Sequence, residues 1–240
     1  MRAFLRRVPG WQLLVLLKAL VVGGERREAA VAMLLKPANL FQPYTTTSAD
    51  RYPGELAAVR ETVGEPARIL SFGCASGEEL LTLRRAFPAA AIHGIDINPL
   101  AVRTARKRVR GDRAITVTRA ADAAAEPPSS YDVVLALAVF RHGALKHAPA
   151  RCDELIRFAD FERTVTGLAA AVRPGGVLVI RHANFRFTDT AAAAGFEAVR
   201  TGFGSGSAAG PTPVYGPDDR LLDPSCRDDG VYRRRTQNSR

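Results

Sequence analysis

The sequence predicts an α/β fold: a doubly wound, mostly parallel seven-stranded sheet with an N-terminal helical extension. From Arg68 onward, short apolar runs alternate with amphipathic helical stretches. One run, residues 131–137, is apolar along most of its length, which is typical of a parallel strand buried on both faces. Such alternation implies right-handed crossovers between parallel strands. We therefore predict a helical extension or lid over residues 1–66 and one sheet domain over residues 67–240.

The predicted elements follow one another with clear start and stop signals. Asn98 precedes Pro99 and marks a helix start, because Asn caps free amides and proline fits the first helical position. Residues 174–176, Pro-Gly-Gly, are predicted to end a helix whose apolar stripe runs from Phe158 to Val172. The predicted strands are 68–72, 91–95, 115–118, 131–137 and 177–180, then 195–199 and 230–235 around a Gly/Ser/Pro-rich loop at 202–217, and the first helix of the sheet domain is 77–87.

Composition limits the class of protein. The chain has 240 residues and is 47% hydrophobic, which suits a sizeable core and argues against global disorder. Its formal net charge of +10 suggests a nucleic-acid partner. However, lysine occurs only four times, and the other positive charges are arginines spread along an alanine-rich chain. Compositional bias explains this as well as a binding surface does, so nucleic acid stays open as a partner but is not favoured.

The N-terminal region contains an apolar run at residues 11–22. It follows Arg2, Arg6 and Arg7 in the manner of a secretory signal, but Lys18 interrupts it and it is too short to cross a bilayer. Its leucines recur on one helical stripe. We predict an amphipathic helix that packs on its own protein, with weak contact to a membrane surface as the alternative.

Three cysteines, Cys74, Cys152 and Cys226, are widely spaced along the chain. They form no C-x-x-C pair and no zinc-type spacing, so we predict no metal site. A sparse, odd set of thiols suits a reducing compartment, and a cytoplasmic location is the expectation.

Residues 69–79, ILSFGCASGEE, combine a strand, a glycine turn and a helix start. Gly73 permits a sharp turn and lets a ligand approach the backbone. Gly77 opens the helix, whose free N–H groups favour a negative group. A purely structural turn is the alternative. The candidate cofactor contacts in this segment are Gly73, Cys74, Ala75, Gly77 and Glu78.

Two acidic residues follow the next two strands. Asp96 ends the second strand roughly 20 residues beyond the glycine turn, where α/β nucleotide sites place a carboxylate on the ribose hydroxyls. Ile97 beside it is a further candidate contact. Asp122, just past the third strand, is a candidate acceptor for an adenine amino group, with a surface-loop carboxylate as the alternative. These positions predict a nucleoside at the carboxyl edge of the sheet.

The glycine pattern separates two classes of nucleoside cofactor. A nicotinamide dinucleotide site carries G-x-G-x-x-G. Here Ala75 lies between Gly73 and Gly77, and Ser76 occupies the place of the last glycine, so that pattern fails. A methyl donor carries no pyrophosphate and does not need that cradle.

Residues 69–79 resemble motif I of the S-adenosylmethionine-dependent methyltransferases with a Rossmann-like fold. Asp96, Asp122 and the strand at 131–137 fall where later motifs of that family fall, and the resemblance covers about residues 68–187. It implies S-adenosylmethionine as cofactor and an in-line attack by an acceptor oxygen or nitrogen on the sulfonium methyl. Within the family, residues 73–79 and 174–182 are most similar to the chemotaxis-receptor glutamate methyltransferases, which esterify side-chain carboxylates.

This resemblance favours an oxygen or carboxylate acceptor on a small or peptide-like substrate. The Arg-Asn that the subfamily carries after the fourth strand is replaced by Leu137-Ala138. The Asn/Asp-Pro-Pro-Tyr signature of enzymes that methylate amino groups on bases is also absent, which weakens a nucleic-acid base as target. An RNA methyltransferase and a non-catalytic binding module stay open as alternatives.

The candidate catalytic residues lie after the fourth and fifth predicted strands. His142 follows the fourth strand and is the first candidate general base, with His182 second. A hydrogen-bonded loop histidine is the alternative for His142. Arg141 is a candidate for holding an anionic acceptor or the methionine carboxylate, and Ala136 begins an apolar wall on the cofactor side.

The stretch at residues 41–52 is too polar and aromatic for an ordinary linker. In the related enzymes, N-terminal helices cover the cofactor. By that resemblance Tyr44, Arg51 and Tyr52 are expected near the cofactor pocket, with a solvated connector as the alternative.

Overall fold

The computed structural model describes residues 27, 30, 39–43, 51–203 and 212–236. The apolar run at 11–22 and most of the predicted N-terminal extension lie outside the described residues. The strands are β1 (Arg68–Phe72), β2 (Ala91–Asp96), β3 (Ile115–Arg119), β4 (Tyr131–Leu137), β5 (Val172–Arg181), β6 (Phe196–Thr201) and β7 (Gly230–Arg234). The helices are α1 (Pro53–Val63), α2 (Glu78–Ala86), α3 (Pro99–Arg108) and α4 (Phe158–Ala171), with short 3-10 turns between later elements.

The seven strands form one sheet in the order β3-β2-β1-β4-β5-β7-β6. Strands β1 to β5 pair in parallel, whereas β7 is antiparallel to both β5 and β6. The predicted fold class, a mostly parallel seven-stranded sheet of the Rossmann-like kind, is confirmed. The predicted domain boundary at residue 66 falls between α1 and β1.

The centre of the sheet is buried on both faces, because successive residues of its strands point into two different cores. All seven residues of β4 are buried. Val133 and Leu135 belong to the core that α1, α2 and α3 cover, and Val134 and Ala136 to the core that α4 covers. The predicted cap of α3 is present, since the Asn98 side chain accepts from the amides of Leu100 and Ala101.

The start of β5 differs from the prediction. The Pro-Gly-Gly at 174–176 does not end a helix; it lies within β5, which begins at Val172. The register opens here, since Tyr131 pairs with Val172 whereas Val133 pairs with Val177. A Cβ on Gly176 would lie 2.8 Å from the carbonyl oxygen of Asp132. Glycine is needed for this close approach, and not as a helix stop. Smaller shifts occur at β6, which runs over Phe196–Thr201, and at β7, which ends at Arg234.

The strand order reverses between the neighbouring strands β1 and β4. After β1 the next strands are added on one side of the sheet, and after β4 they are added on the other side. Ligands of open α/β sheets bind in the crevice at the carboxyl ends of the strands at such a point. The fold therefore directs attention to the loops that follow β1, β2 and β4.

A buried ionic network ties the beginning of α1 to the end of β5. Arg181 contacts Glu55 of α1 at 2.5 Å and Asp229 at 3.2 Å. The Asp229 carboxylate also accepts from the backbone amides of His182 and Ala183. Buried charges need partners of this kind, so the network fixes the position of α1 over the carboxyl edge of the sheet.

In the part of the chain that the structure describes, no helix is both long enough and apolar enough to cross a membrane.

Candidate functional site

A cavity of about 310 Å³, here called the edge cavity, opens at the carboxyl ends of β1, β2 and β4. Its walls come from the loops after these strands and after β3, and from two segments that precede β1 in the chain. The lining residues are Asn39, Leu40, Phe41, Gln42, Arg51, Tyr52, Phe72, Gly73, Cys74, Ala75, Glu79, Asp96, Ile97, Asn98, Ala120, Ala121, Leu137, Ala138, Val139, Arg141 and Gly143.

Gly73 makes the tight turn that follows β1. Its φ is +75°, and its N–H donates to the carbonyl oxygen of Ile95 at 2.8 Å. A Cβ on Gly73 would lie 2.3 Å from Cγ2 of Val139. Only glycine fits here, and the backbone of Gly73, Cys74 and Ala75 forms part of the cavity wall.

Gly77 and Glu78, both predicted to contact the cofactor, do not line the edge cavity. Gly77 precedes α2 with a φ of +90°, and a Cβ there would lie 3.1 Å from Cα of Ala105. Its role is close packing of α2 on α3. Glu78 points away from the cavity and pairs with Arg108 at 2.5 Å. The rotation of α2 instead places the next residue, Glu79, in the cavity wall.

Asp96 lies at the end of β2 with its side chain buried in the cavity wall. One carboxylate oxygen accepts from the Ala75 amide at 2.9 Å, and the other from the Asn98 amide at 2.8 Å. These bonds hold the carboxylate between the glycine turn and the start of α3. At the end of β2, this carboxylate lies where α/β nucleotide sites hold the ribose hydroxyls.

Glu79 is the acidic residue that the sequence analysis missed. Ser71, at the end of β1, donates from Oγ to its Oε1 at 2.7 Å. Burial raises the pKa of Glu79 to about 7, while the Ser71 hydrogen bond and the charge of Arg51 lower it in part. A cation bound beside it would favour its ionised form. The Glu-Glu pair is visible in the sequence, but which member faces the cavity depends on the rotation of the helix.

Two arginines line the edge cavity on the side of α1 and β4. Arg141 is buried, and burial lowers its pKa, as do the nearby charges of Arg51 and Arg227. The Arg51 guanidinium lies 5.4 Å from the ring centroid of Tyr52. The predicted positions of Arg51 and Arg141 at this edge thus agree with the structure, and an anionic group between them would relieve their mutual repulsion.

The rest of the wall is apolar. Phe41 is buried and packs edge-on against Phe140 at 5.1 Å between ring centroids. Phe72, Leu137 and Val139 continue this surface along the ends of β1 and β4. The predicted contact Ile97 lies in the wall as well. These side chains exclude water from one side of the cavity.

Asp122 and Ala136 lie outside the edge cavity, although both were predicted to contact the cofactor. Asp122 Oδ1 accepts from the Ala124 amide at 2.9 Å, which closes a local turn. Ala120 and Ala121 line the cavity in its place. Ala136 lies inside β4 and is fully buried in the core. The strand continues to Leu137, and Leu137 is its first residue to line the edge cavity. Tyr44 lies outside the described residues.

The two candidate bases occupy different places. His142 does not line the edge cavity; its Nδ1 accepts from the Ala144 amide at 3.3 Å and caps a 3-10 turn. Burial lowers its pKa. His182 follows β5 with a φ of +52°. Burial lowers its pKa to about 4, and the charges of Arg181, Arg51 and Arg141 act in the same direction, against Asp229. The Nδ1 of His142 is therefore engaged by a backbone amide, and the lowered pKa of His182 makes that residue a poor proton acceptor at neutral pH.

His182 lines a second cavity of about 610 Å³, here called the side cavity, which lies between α1, β5 and β6. Its lining residues are Arg51, Tyr52, Pro53, Gly54, Glu55, Arg181, His182, Arg200, Thr201, Gly202 and Phe203.

Among the described positions, no group of three or more His, Cys, Asp or Glu side chains is placed to hold a metal ion. The thiol of Cys74, which lies in the edge cavity wall, is kept in its neutral form because burial raises its pKa, as do Asp96 and Glu79.

A family model described as a methyltransferase domain matches residues 70–178. The matched segment runs from β1 into β5 and includes the glycine turn, Asp96 and the loop after β4. Residues 70–178 are therefore similar to a methyltransferase domain.

Individual relatives are more distant. A trans-aconitate 2-methyltransferase of Rhodopseudomonas palustris (strain BisB18) is 32% identical over 119 residues, which is 49% of this chain and 39% of that protein. The match therefore spans about two fifths of the length of this curated relative. The structure of a SAM-bound amino pentose methyltransferase from Micromonospora echinaspora is 22% identical and covers 57% of this chain and 51% of its own, with a TM-score of 0.46. A sugar N-methyltransferase from Streptoalloteichus sp. ATCC 53650 is 24% identical, covers 58% and 49%, and has a TM-score of 0.42.

These comparisons confirm the resemblance at the level of the methyltransferase class. They do not support the narrower resemblance to the chemotaxis-receptor glutamate methyltransferases. Residues 73–79 form a glycine turn and the start of a helix. Both glycines are required by the packing of the fold, so their presence does not indicate a receptor as substrate.

Proposed function

We propose that this protein transfers the methyl group of S-adenosylmethionine to a carboxylate oxygen of a small acidic molecule. One observation carries the acceptor class. At the carboxyl edge of the sheet, buried cationic groups occur together with two histidines that are not available as general bases. Such a site suits an acceptor that is already anionic.

The polar groups of the edge cavity fit the donor. Asp96 is placed for the ribose hydroxyls, Glu79 for the ammonium group, and Arg51 for the carboxylate of the methionine part. Opposite charges that lie close together stabilise each other's ionised forms. The apolar wall of Phe41 and Ile97 suits the adenine ring.

The acceptor argument rests on proton balance. An alcohol or phenol loses a proton when it is methylated and benefits from a base, whereas a carboxylate does not. His142 is engaged with the Ala144 amide, and the pKa of His182 is lowered to about 4. Arg141, in contrast, presents a buried guanidinium to the cavity, and guanidinium binds carboxylates with two parallel hydrogen bonds.

The name of the curated relative gives independent support. That protein is a trans-aconitate methyltransferase, and its acceptor is a carboxylic acid by name. Its similarity covers about half of this chain, 49%, so it supports the acceptor class only in combination with the charges described above.

The protein's part in the reaction is alignment and exclusion of water. S-adenosylmethionine supplies a methyl group on a sulfonium that is already activated for displacement. Arg141 and Arg51 hold anionic groups, and the wall of Leu137 and Val139 keeps solvent from the reacting atoms. Attack by an anion on a cation disperses charge, so a cavity with little water favours it.

The proposal is tested by transfer of labelled methyl from S-adenosylmethionine to a set of small carboxylic acids and to a cell extract. We expect label in small acids that mild alkali releases as methanol, the signature of a methyl ester. Label that resists alkali and remains on an amine or alcohol would contradict the carboxylate assignment. Label in macromolecules that disappears with nuclease would instead establish a nucleic-acid methyltransferase.

A further inference from the structure

The edge cavity and the side cavity meet at two residues. Among the described residues, Arg51 and Tyr52 line both cavities and no other residue does. The side cavity includes neither Gly73 nor Asp96 among these residues, so the groups placed for the donor lie outside it. In-line transfer requires the acceptor oxygen within about 3–3.5 Å of the methyl carbon. Arg51 and Tyr52 are therefore where an acceptor in the side cavity would come nearest to a donor in the edge cavity.

The Tyr52 hydroxyl marks this junction. The side chain is 8% exposed, and its oxygen is buried with no hydrogen-bond partner among the described residues. Its ring is held by His182 at 5.8 Å between centroids and by the guanidinium of Arg51. Burial raises its pKa to about 12, which keeps the O–H proton available for donation. Buried hydroxyls are nearly always hydrogen-bonded, so this hydroxyl is placed to donate to an acceptor atom of a bound ligand.

The side cavity carries an excess of positive charge. Three guanidinium groups, those of Arg51, Arg181 and Arg200, face one carboxylate, Glu55, across its walls. Arg181 is engaged by Glu55 and by Asp229.

Arg200 is positioned differently. Its guanidinium lies over the ring of Phe203 at 5.3 Å. The carboxylate of Glu61 is 4.0 Å away, and both side chains are more than half exposed. An exposed pair at this distance contributes little, so Arg200 can exchange it for an anionic ligand.

We propose that the side cavity binds the methyl acceptor and selects an acid with at least two carboxylates. The reacting carboxylate accepts a hydrogen bond from Tyr52 at the junction, and a second carboxylate pairs with Arg200. The identity of the reacting group rests on the proposed function; the binding of a polycarboxylate in the side cavity does not.

The chemical step balances without a base. One carboxylate oxygen forms the new O–CH₃ bond while the S–CH₃ bond of the donor breaks, and the electrons of that bond remain on sulfur. The anionic acceptor becomes a neutral ester, and the cationic donor becomes a neutral thioether. Tyr52 keeps its proton throughout and acts as a specificity-determining donor.

Calorimetry on the full chain with S-adenosylhomocysteine bound tests this assignment. The probes are propane-1,2,3-tricarboxylate and butanoate, which carry three carboxylates and one carboxylate, respectively, on a three-carbon skeleton. We expect the tricarboxylate to bind at least tenfold more tightly. Tyr52→Phe and Arg200→Gln should each weaken that binding by about tenfold, the effect of about 1.4 kcal/mol. Arg103→Gln, which removes an exposed charge on α3, should leave it unchanged.

Two further readouts separate ligand binding from a structural role. Because the Tyr52 oxygen has no hydrogen-bond partner in the part of the chain that the structure describes, Tyr52→Phe should keep or raise Tm and should not change the affinity for S-adenosylhomocysteine. A lower Tm, or weaker S-adenosylhomocysteine binding, would assign the hydroxyl to the fold or to the donor. Equal tricarboxylate binding by the wild type and Arg200→Gln would also overturn the assignment.

The outcomes distinguish this inference from the proposed function. Tricarboxylate that binds but is never methylated would remove the proposed function and leave the side-cavity assignment in place. Butanoate and the tricarboxylate methylated and bound equally well would do the reverse. Absence of both binding and methylation would remove both.

Discussion

The Ser71 hydroxyl donates a 2.7 Å hydrogen bond to the Glu79 carboxylate across the wall of the edge cavity. The bond joins the end of β1 to the first turn of α2 and fixes the direction of a partly buried acid. Burial raises the pKa of Glu79 to about 7. Its charge therefore changes within the physiological pH range, and binding of a cationic group beside it must depend on pH.

Cofactor affinity should fall at acid pH because the ammonium of S-adenosylmethionine binds only the ionised form of Glu79. With a pKa of about 7, we expect the dissociation constant to rise by about tenfold between pH 8 and pH 6, since one proton competes with the ligand. Glu79→Gln keeps an acceptor for Ser71 and cannot ionise. Calorimetry should show weaker binding by this variant at pH 8 and a flat profile. A wild-type profile as flat as that of the variant would exclude Glu79 as the ammonium partner.

The same substitution should stabilise the ligand-free protein at high pH. The pKa of Glu79 is raised from 4.5 in the unfolded chain to about 7 in the fold, so the fold binds its proton more tightly than the unfolded chain does. The wild type accordingly loses stability as pH rises from about 4.5 to 7 and stays at the lower level above that range. Denaturant unfolding at pH 8 should show Glu79→Gln more stable by about 1–3 kcal/mol, with the difference vanishing near pH 4.5. A variant less stable at pH 8 would show that the charged form is favoured in the fold.

Asp96 and Asp122 provide a matched pair of substitutions. Asp96 lies in the cavity wall, and Asp122 closes a turn outside it. Asp96→Ala should weaken S-adenosylmethionine binding by roughly 1–3 kcal/mol, the cost of leaving buried polar partners unpaired. Asp122→Ala should leave the dissociation constant unchanged. Equal losses in the two variants, both folded by circular dichroism, would indicate that the loop after β3 closes over the adenine on binding.

The sequence predicted the elements whose signals are local. The apolar run of β4 and the Asn98-Pro99 start of α3 appear where expected, because both signals are carried by consecutive residues of the sequence. The bulge at 174–176 was not predictable in this way. Its glycine is required by the backbone of Asp132 on the adjacent strand, a contact that spacing does not reveal.

The site was predicted in part for the same reason. Asp96 follows from its place at the end of a strand, and Gly73 from the turn that a buried strand needs. Glu79 was missed because the choice between it and Glu78 depends on how α2 rotates after the left-handed residue Gly77. Tyr52 was expected near the pocket, but its place where the two cavities meet was not predictable, because it depends on α1 lying over the end of β5 and so on the buried pairing of Glu55 with Arg181.

The last prediction concerns the two histidines and the absence of base catalysis. His142 accepts from the Ala144 amide through Nδ1, so its neutral ring carries the proton on Nε2 and has no acceptor to offer a substrate. The pKa of His182 is lowered to about 4, far below that of a base suited to neutral pH. Asn is a suitable replacement at both positions, because it tolerates the left-handed backbone of His182. We expect His142→Asn and His182→Asn to keep kcat within about threefold, whereas loss of a general base costs 10²–10⁴-fold. His182→Asn should raise KM for the acceptor, since the residue lines the side cavity, and His142→Asn should not. At saturating donor and acceptor, kcat should be constant from pH 6.5 to 8.5 in all three proteins. Two results together would show that the acceptor must be deprotonated and is not a carboxylate. The first is a hundredfold lower kcat in either variant. The second is a wild-type kcat that falls at acid pH, with that fall absent from the variant.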